Sequence, residues 1–228
     1  GLAIGLGSLR RLTPSGTLRG AAGLPAVIAS RGAITFVFFG LDAFVPYALT
    51  SGRDRSTLVA SIAVTVTTVS WTLGSWIQQR WIARLGEAWF VRAGYLMLAP
   101  GVALAAAASL PDGLPFWLIH VGGFGAGLGM GFAYSAHAQL TFRSVDECDV
   151  GSATSSLQLF DNLGVALGTG VVGAVVAFGD DIGWEPGAAV AIAWIAPVAV
   201  ALFGVGLSRR LPRTSSGLTA ASPVIASA

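Results

Sequence analysis

The chain has 228 residues, 54% of them hydrophobic and only 11% charged, with a formal net charge of +2 and a mean hydropathy of +0.74. A soluble domain carries roughly a quarter of its residues as charges, so the composition excludes an ordinary water-soluble globule. All 13 basic residues are arginines and none stands in a run long enough for a nucleic-acid-binding tail. Cys148 is the single cysteine, which excludes a disulfide framework and a cysteine-based metal site.

The apolar residues come in blocks. Each is long enough for the roughly 20 residues a helix needs to cross a bilayer core. The blocks are too long and too uniform for the alternating strands of about ten residues that build a barrel. Helices then remain as the way to satisfy every backbone group in lipid. The sequence therefore predicts an all-α membrane protein with six transmembrane helices.

Taken in chain order, residues 1–28 read as the end of a preceding helix, Gly1 to Leu9, followed by a polar connector. The first residue is Gly and no cleavable signal peptide is visible, so the chain reads as a piece of a longer protein. The predicted spans are 29–50, 57–79, 89–110, 115–138, 150–178 and 187–208. Residues 209–228 are rich in Ser, Ala and Pro and read as a disordered tail.

Six spans place both ends on one side. That side holds Arg10, Arg11, Arg19 and Arg31, then Arg80, Arg84 and Arg92, then Arg143, then Arg209, Arg210 and Arg213. The other side has only Arg53 and Arg55, beside Asp112, Asp180, Asp181 and Glu185. The positive-inside rule then predicts a multi-pass protein of the cell membrane with both termini in the cytoplasm.

Positions i, i+4, i+7 and i+11 share one helix face. In the second span that face carries Thr57, Ser61, Thr65, Thr68, Thr72, Ser75 and Gln79. The fifth carries Thr154, Gln158, Asp161, Asn162 and Thr169. The first aligns Arg31, Thr35, Asp42 and Pro46, and the fourth aligns His120, Gly123, Gly127, Gly131 and Tyr134. Away from their ends, the third offers only Tyr95 and the sixth only Trp194, so both are expected to face lipid on most sides. The order is two striped helices and a plain one, twice. Hydroxyls on such stripes also bond their own i−4 carbonyls, which gives them a purely local reading.

Asp42 and Asp161 stand out, because a carboxylate within a span costs about 2.5–3.5 kcal/mol on the insertion scale. They are the candidate proton or cation sites, with a structural pairing to Arg31 as the alternative. Thr35, Ser61, Thr65, Thr68, Gln158, Asn162 and Tyr134 are candidate substrate-pathway residues. His120 and His137 read as interfacial polar residues. Gly123, Gly127 and Gly131, and likewise Gly164 and Gly168, have the four-residue spacing of close helix packing. The glycine-rich stretch Gly122–Gly131 lacks GxGxxG spacing and lies inside a span, so it is not a nucleotide loop. No HExxH, nucleophile elbow or ligand cluster points to an enzyme, and no cofactor is implied.

Several segments resemble the C-terminal six-helix half of a major facilitator superfamily transporter, and more narrowly the multidrug drug:proton antiporter branch of actinobacteria. They are LPAVIASRGAITFVFFGLDAFVPYAL (Leu24 to Leu49), WTLGSWIQQRWIARLG (Trp71 to Gly86), GAGLGMGFAYS (Gly125 to Ser135) and GSATSSLQLFDNLGVALGTGV (Gly151 to Val171). Of the family's cytoplasmic loop motif, Arg84 and Gly86 are present. Ala83 stands where the motif has Asp, Gln79 where it has its first Gly, and Glu87 where a basic residue is usual. The resemblance implies two inverted three-helix repeats, with a substrate site at midplane between this half and a missing N-terminal half. It implies proton-coupled efflux of small amphipathic molecules by alternating access. Arg31, Arg84 and Pro46 would serve as charge partner and gating residues. An importer or facilitator of a small metabolite, and a non-transporting scaffold or sensor, are the alternatives.

Overall fold

The computed structural model describes residues 13–212, and these are helical, with no strand among them. The expected helix end at Gly1–Leu9, Arg10, Arg11 and the tail beyond Pro212 lie outside the described residues.

The first helix, α1 (Leu24–Asp42), starts at Gly23, whose φ of 90° suits glycine, with Pro25 in its first turn. It stops at Asp42 because Pro46, four residues on, has no N–H to offer the Asp42 carbonyl. The chain continues as a single turn, Val45–Tyr47, and a π-turn, Ala48–Gly52. The whole stretch Leu24–Gly52 forms the first span. α2 (Thr57–Leu85) is capped by Ser56, whose Oγ accepts from the Val59 N–H, and ends at Gly86 with φ 79°. α3 (Glu87–Ser109), α4 (Leu118–Arg143) and α5 (Val150–Asp181) follow.

The sixth span is interrupted: α6 (Pro186–Ala193) and α7 (Ile195–Leu207) are separated at Trp194. The cause is the same as in α1, since Pro197 lies four residues past Ala193. The fully buried Trp194 indole N–H donates to the Gly40 carbonyl at 3.0 Å and holds the break against α1.

Five stretches are long and apolar enough to cross a membrane, namely Leu24–Gly52, Thr57–Leu85, Glu87–Ser109, Glu147–Asp181 and Pro186–Arg210. α4 is the exception to the six expected. It has 26 residues, but six glycines between Gly122 and Gly131 dilute its hydropathy. Its position explains the composition, because α4 packs against α1, α2, α3 and α5.

Glycines let backbones touch there. A Cβ at Gly129 would meet the Gly94 carbonyl oxygen at 2.5 Å, and one at Gly101 the Gly122 carbonyl oxygen at 2.7 Å. Toward α2, a Cβ at Gly127 or Gly131 would collide with the Thr67 or Trp71 carbonyl. The α1–α5 seam is built alike, with Gly164 against the Gly32 carbonyl and Gly168 against the Phe36 carbonyl. Small residues of this kind are what allow close helix contacts where lipid supplies no hydrophobic drive.

Two clamps close the ends. At one end Arg53 donates to the carbonyls of Leu110, Pro111 and Leu114, tying two connectors together, and the Tyr47 hydroxyl donates to Asp180 at 2.9 Å. At the arginine-rich end Glu87, buried in the first turn of α3, pairs with Arg143 of α4 at 3.0 Å.

Candidate functional site: a buried ion pair beside an open polar face

Arg31 and Asp161 meet inside the bundle. Arg31 Nε donates to Asp161 Oδ1 at 2.6 Å, and the two residues are 4% and 7% exposed. The close approach of α1 and α5 at Gly32, whose missing Cβ would overlap the Phe160 carbonyl, sets this register. Further partners satisfy both ions. Arg31 Nη1 donates to the Tyr134 carbonyl at 2.6 Å, and the guanidinium carbon stands 3.2 Å from the Tyr134 ring centroid. Asp161 Oδ2 accepts from the Tyr134 hydroxyl and from Gln158 Nε2, each at 3.3 Å. Gln158 also donates to Asn162 Oδ1 at 3.2 Å, and Thr35 Oγ1 lies 3.2 Å from the Asp161 carbonyl oxygen. Three helices, α1, α4 and α5, thus converge on one carboxylate. A charge taken from water needs this many hydrogen bonds to persist.

Beyond the pair, the same face of α1 carries an aromatic cluster. Trp71 of α2 lies edge-on to Phe38, Phe39 and Tyr134, with ring centroids 5.1, 6.4 and 5.5 Å apart. One turn past Phe38 and Phe39 comes Asp42, half-buried and with no hydrogen bond or ion pair among the described residues. Asp42 is eleven residues from Arg31, about 16 Å at the helical rise. The two acids are therefore not brought together. Asp161 is neutralised and Asp42 is not, and an aromatic surface separates them.

The stripe on α2 faces outward. Thr57, Ser61, Thr65, Thr68, Thr72 and Gln79 are exposed. Ser61, Thr65, Thr68 and Thr72 each donate to the carbonyl four residues back, at 2.8–3.2 Å. On α5, Thr154, Gln158 and Asn162 are exposed while Asp161 turns inward. α2 and α5 bury only 28% of their most apolar stretch against the rest of the chain, compared with 50% for α3. Within this chain the plain third helix is thus more covered than the striped second and fifth, whose polar faces are left open. Arg84 is exposed near the Trp81 ring, 5.3 Å from its centroid, and Pro46 sits at the break after α1.

Sequence reasoning missed a second network. Ser30, beside Arg31 on α1, faces α3 and α4. Its carbonyl accepts from the Tyr95 hydroxyl at 2.7 Å, and its Oγ lies 2.9 Å from His137 Nε2. His137 Nδ1 is 2.7 Å from the Ala133 carbonyl oxygen and must carry the hydrogen there, since a carbonyl only accepts. His137 and Tyr95 are fully buried, so His137 is not the interfacial residue its place near a span end suggested. The available signal was the i, i+3 spacing of Tyr134 and His137 beside the adjacent pair Ser30 and Arg31. His120 is half-buried near the Val59 carbonyl at 3.3 Å. Tyr95→Phe removes one buried hydrogen bond and is expected to cost about 1 kcal/mol, read as the unfolding free energy in detergent micelles.

The fold and this intramembrane polar site define an all-helical, multi-pass membrane protein. No protein-family model and no curated protein matches the chain.

Proposed function

We propose that the chain is the C-terminal six-helix half of a major facilitator-type secondary transporter, which expels small amphipathic molecules in exchange for protons. The observation that carries this reading is the buried Arg31–Asp161 pair set beside outward-facing polar stripes on α2 and α5. Intramembrane charges of this kind mark transport pathways, and an uncovered polar stripe in a membrane helix calls for a partner.

The helix order supports two repeats. The starts of the first three long helices, Leu24, Thr57 and Glu87, recur at a nearly constant interval as Leu118, Val150 and Pro186. Exchanging the first three spans for the last three maps α1–α5 packing onto α4–α2 packing, and α3–α4 onto the sixth span with α1. Three helices per repeat make the second copy inverted, as in transporters of this architecture. The arginine-rich connectors support a cytoplasmic position for both ends by the positive-inside rule. A second six-helix half would cover α2 and α5, with substrate between the halves.

In this reading Asp42 is the free acid. It accepts the proton or counters a cationic group held against Phe39, Trp71 and Tyr134, whose faces attract cations. Asp161 and Arg31 form a pair that opens and closes with the transport cycle. Gln158, Asn162, Ser61, Thr65 and Thr68 line the path.

The test uses inside-out membrane vesicles carrying the full transporter, with ethidium as the probe. Asp42→Asn and Asp161→Asn are each expected to abolish ethidium-driven proton release without lowering the amount of protein in the membrane. Unchanged flux in both would sink the proposal. Flux that survives an uncoupler would favour a facilitator, and no flux in the parent would favour a scaffold.

A further inference from the structure

We propose that residues 43–52 and 186–193, the parts of the first and sixth spans beyond their breaks, form one hinged flap pinned at Trp194. The flap lies at the end of the bundle opposite the arginine-rich connectors. The proposal rests on the two breaks and their contacts and is independent of what, if anything, the chain transports.

Each break interrupts a hydrogen-bond ladder at one point. Pro46 has no N–H for the Asp42 carbonyl, and Pro197 has none for the Ala193 carbonyl. After α1 the Phe44 N–H bonds the Leu41 carbonyl at 3.0 Å, three residues back, so the Gly40 carbonyl also loses its helical donor. A helix bends most readily where its ladder is already interrupted.

The two breaks lie against each other. The Trp194 indole supplies the Gly40 carbonyl with the missing hydrogen at 3.0 Å. A Cβ at Gly40 would stand 3.2 Å from the Pro197 ring, so glycine there lets the second break seat closely on the end of α1. Trp194 and Pro197 are both buried, which keeps water from taking over the bond.

The far ends of the two pieces also touch. α6 packs against the π-turn Ala48–Gly52. A Cβ at Gly52 would meet the Gly187 Cα at 3.0 Å. Joined at the hinge and again at the tip, neither segment can tilt without carrying the other. Polar contacts hold the tip to the rest of the bundle. The Ser109 hydroxyl reaches the Gly187 carbonyl at 3.2 Å, and Tyr47 donates to Asp180. The Tyr47–Asp180 bond is exposed, so water can replace it when the flap swings.

The experiment is amide hydrogen–deuterium exchange, read by mass spectrometry on the protein in lipid nanodiscs, where exchange reports local opening. Trp194→Phe keeps an aromatic ring and removes the N–H of the pin. Exchange is expected to rise about ten-fold in 43–52 and in 186–193 together, the worth of one buried hydrogen bond, with α2 unchanged. Pro46→Ala returns a donor to the first break. It is expected to slow exchange in both segments, although 186–193 is remote from it in sequence. A change confined to the segment that carries the substitution overturns the proposal, because the two pieces then move separately. So does equal acceleration in α2, which would mark general loosening instead of a hinge, and so does unaltered exchange in both variants. If Trp194→Phe does not fold, the response of 186–193 to Pro46→Ala decides alone.

Discussion

Asp161→Ala is expected to lower the unfolding free energy in detergent by about 3–5 kcal/mol, because it strands the Arg31 guanidinium in the bundle with only the Tyr134 carbonyl and ring as partners. Arg31→Met combined with Asp161→Leu removes both charges and keeps the volume. It is expected to be neutral or stabilising by about 1–4 kcal/mol. The contrast separates stability from function. If the pair serves transport, the double variant folds at least as well as the parent and yet moves no ethidium. A single variant as stable as the parent would show that the pair is not closed in the folded protein. Denaturant titration of the three proteins in the same micelle decides the matter.

The second large effect is steric. Gly127→Val drives a side chain into the Thr67 carbonyl and the Ser70 hydroxyl, and Gly131→Val does so at the Trp71 carbonyl. Backbone oxygens cannot rotate away, so α2 and α4 must separate. Each change is expected to cost about 3 kcal/mol, at the upper end of overpacking penalties, and the two together to prevent folding. Gly170 on α5 supplies the control, since a Cβ there would meet nothing within 4 Å. Gly170→Ala is expected to stabilise by about 0.5–1 kcal/mol through helix propensity. Unfolding midpoints that fall for Gly127→Val and rise for Gly170→Ala would fit this account. Equal behaviour of the two sites would refute it.

The helices were legible because long apolar blocks allow little else in lipid, but the predicted span 29–50 ran across the break after α1, where Pro46 cannot close the ladder onto Asp42. The break between α6 and α7 follows the same rule through Pro197, and the predicted span ran across it too, since the apolar block there is unbroken. The stripes identified Arg31, Asp161 and Tyr134 as polar positions on three helices. They did not say which acid Arg31 would choose. That choice is made by the Gly32–Phe160 approach, a contact between residues far apart in the chain. Ser30, Tyr95 and His137 were opaque for a related reason. Tyr95 stands alone on its helix, Ser30 and His137 lie beside the stripes of theirs, and the partners that join the three lie 65 or 107 positions away. The low hydropathy of α4 had a legible cause, its glycines, but their double use against α2 and α3 needed the packing itself.

The hydroxyls of Ser61, Thr65, Thr68 and Thr72 each spend their hydrogen on the carbonyl one turn back. What they show to the outside is lone pairs only. The uncovered face of α2 is therefore not neutral ground between donor and acceptor. It is a column of acceptors from Ser61 to Thr72, about 16 Å long at the helical rise. A second stripe of serines and threonines bonded in the same way would meet it lone pair to lone pair. Whatever closes over α2, be it another bundle, a substrate or a file of water, has to bring the hydrogens.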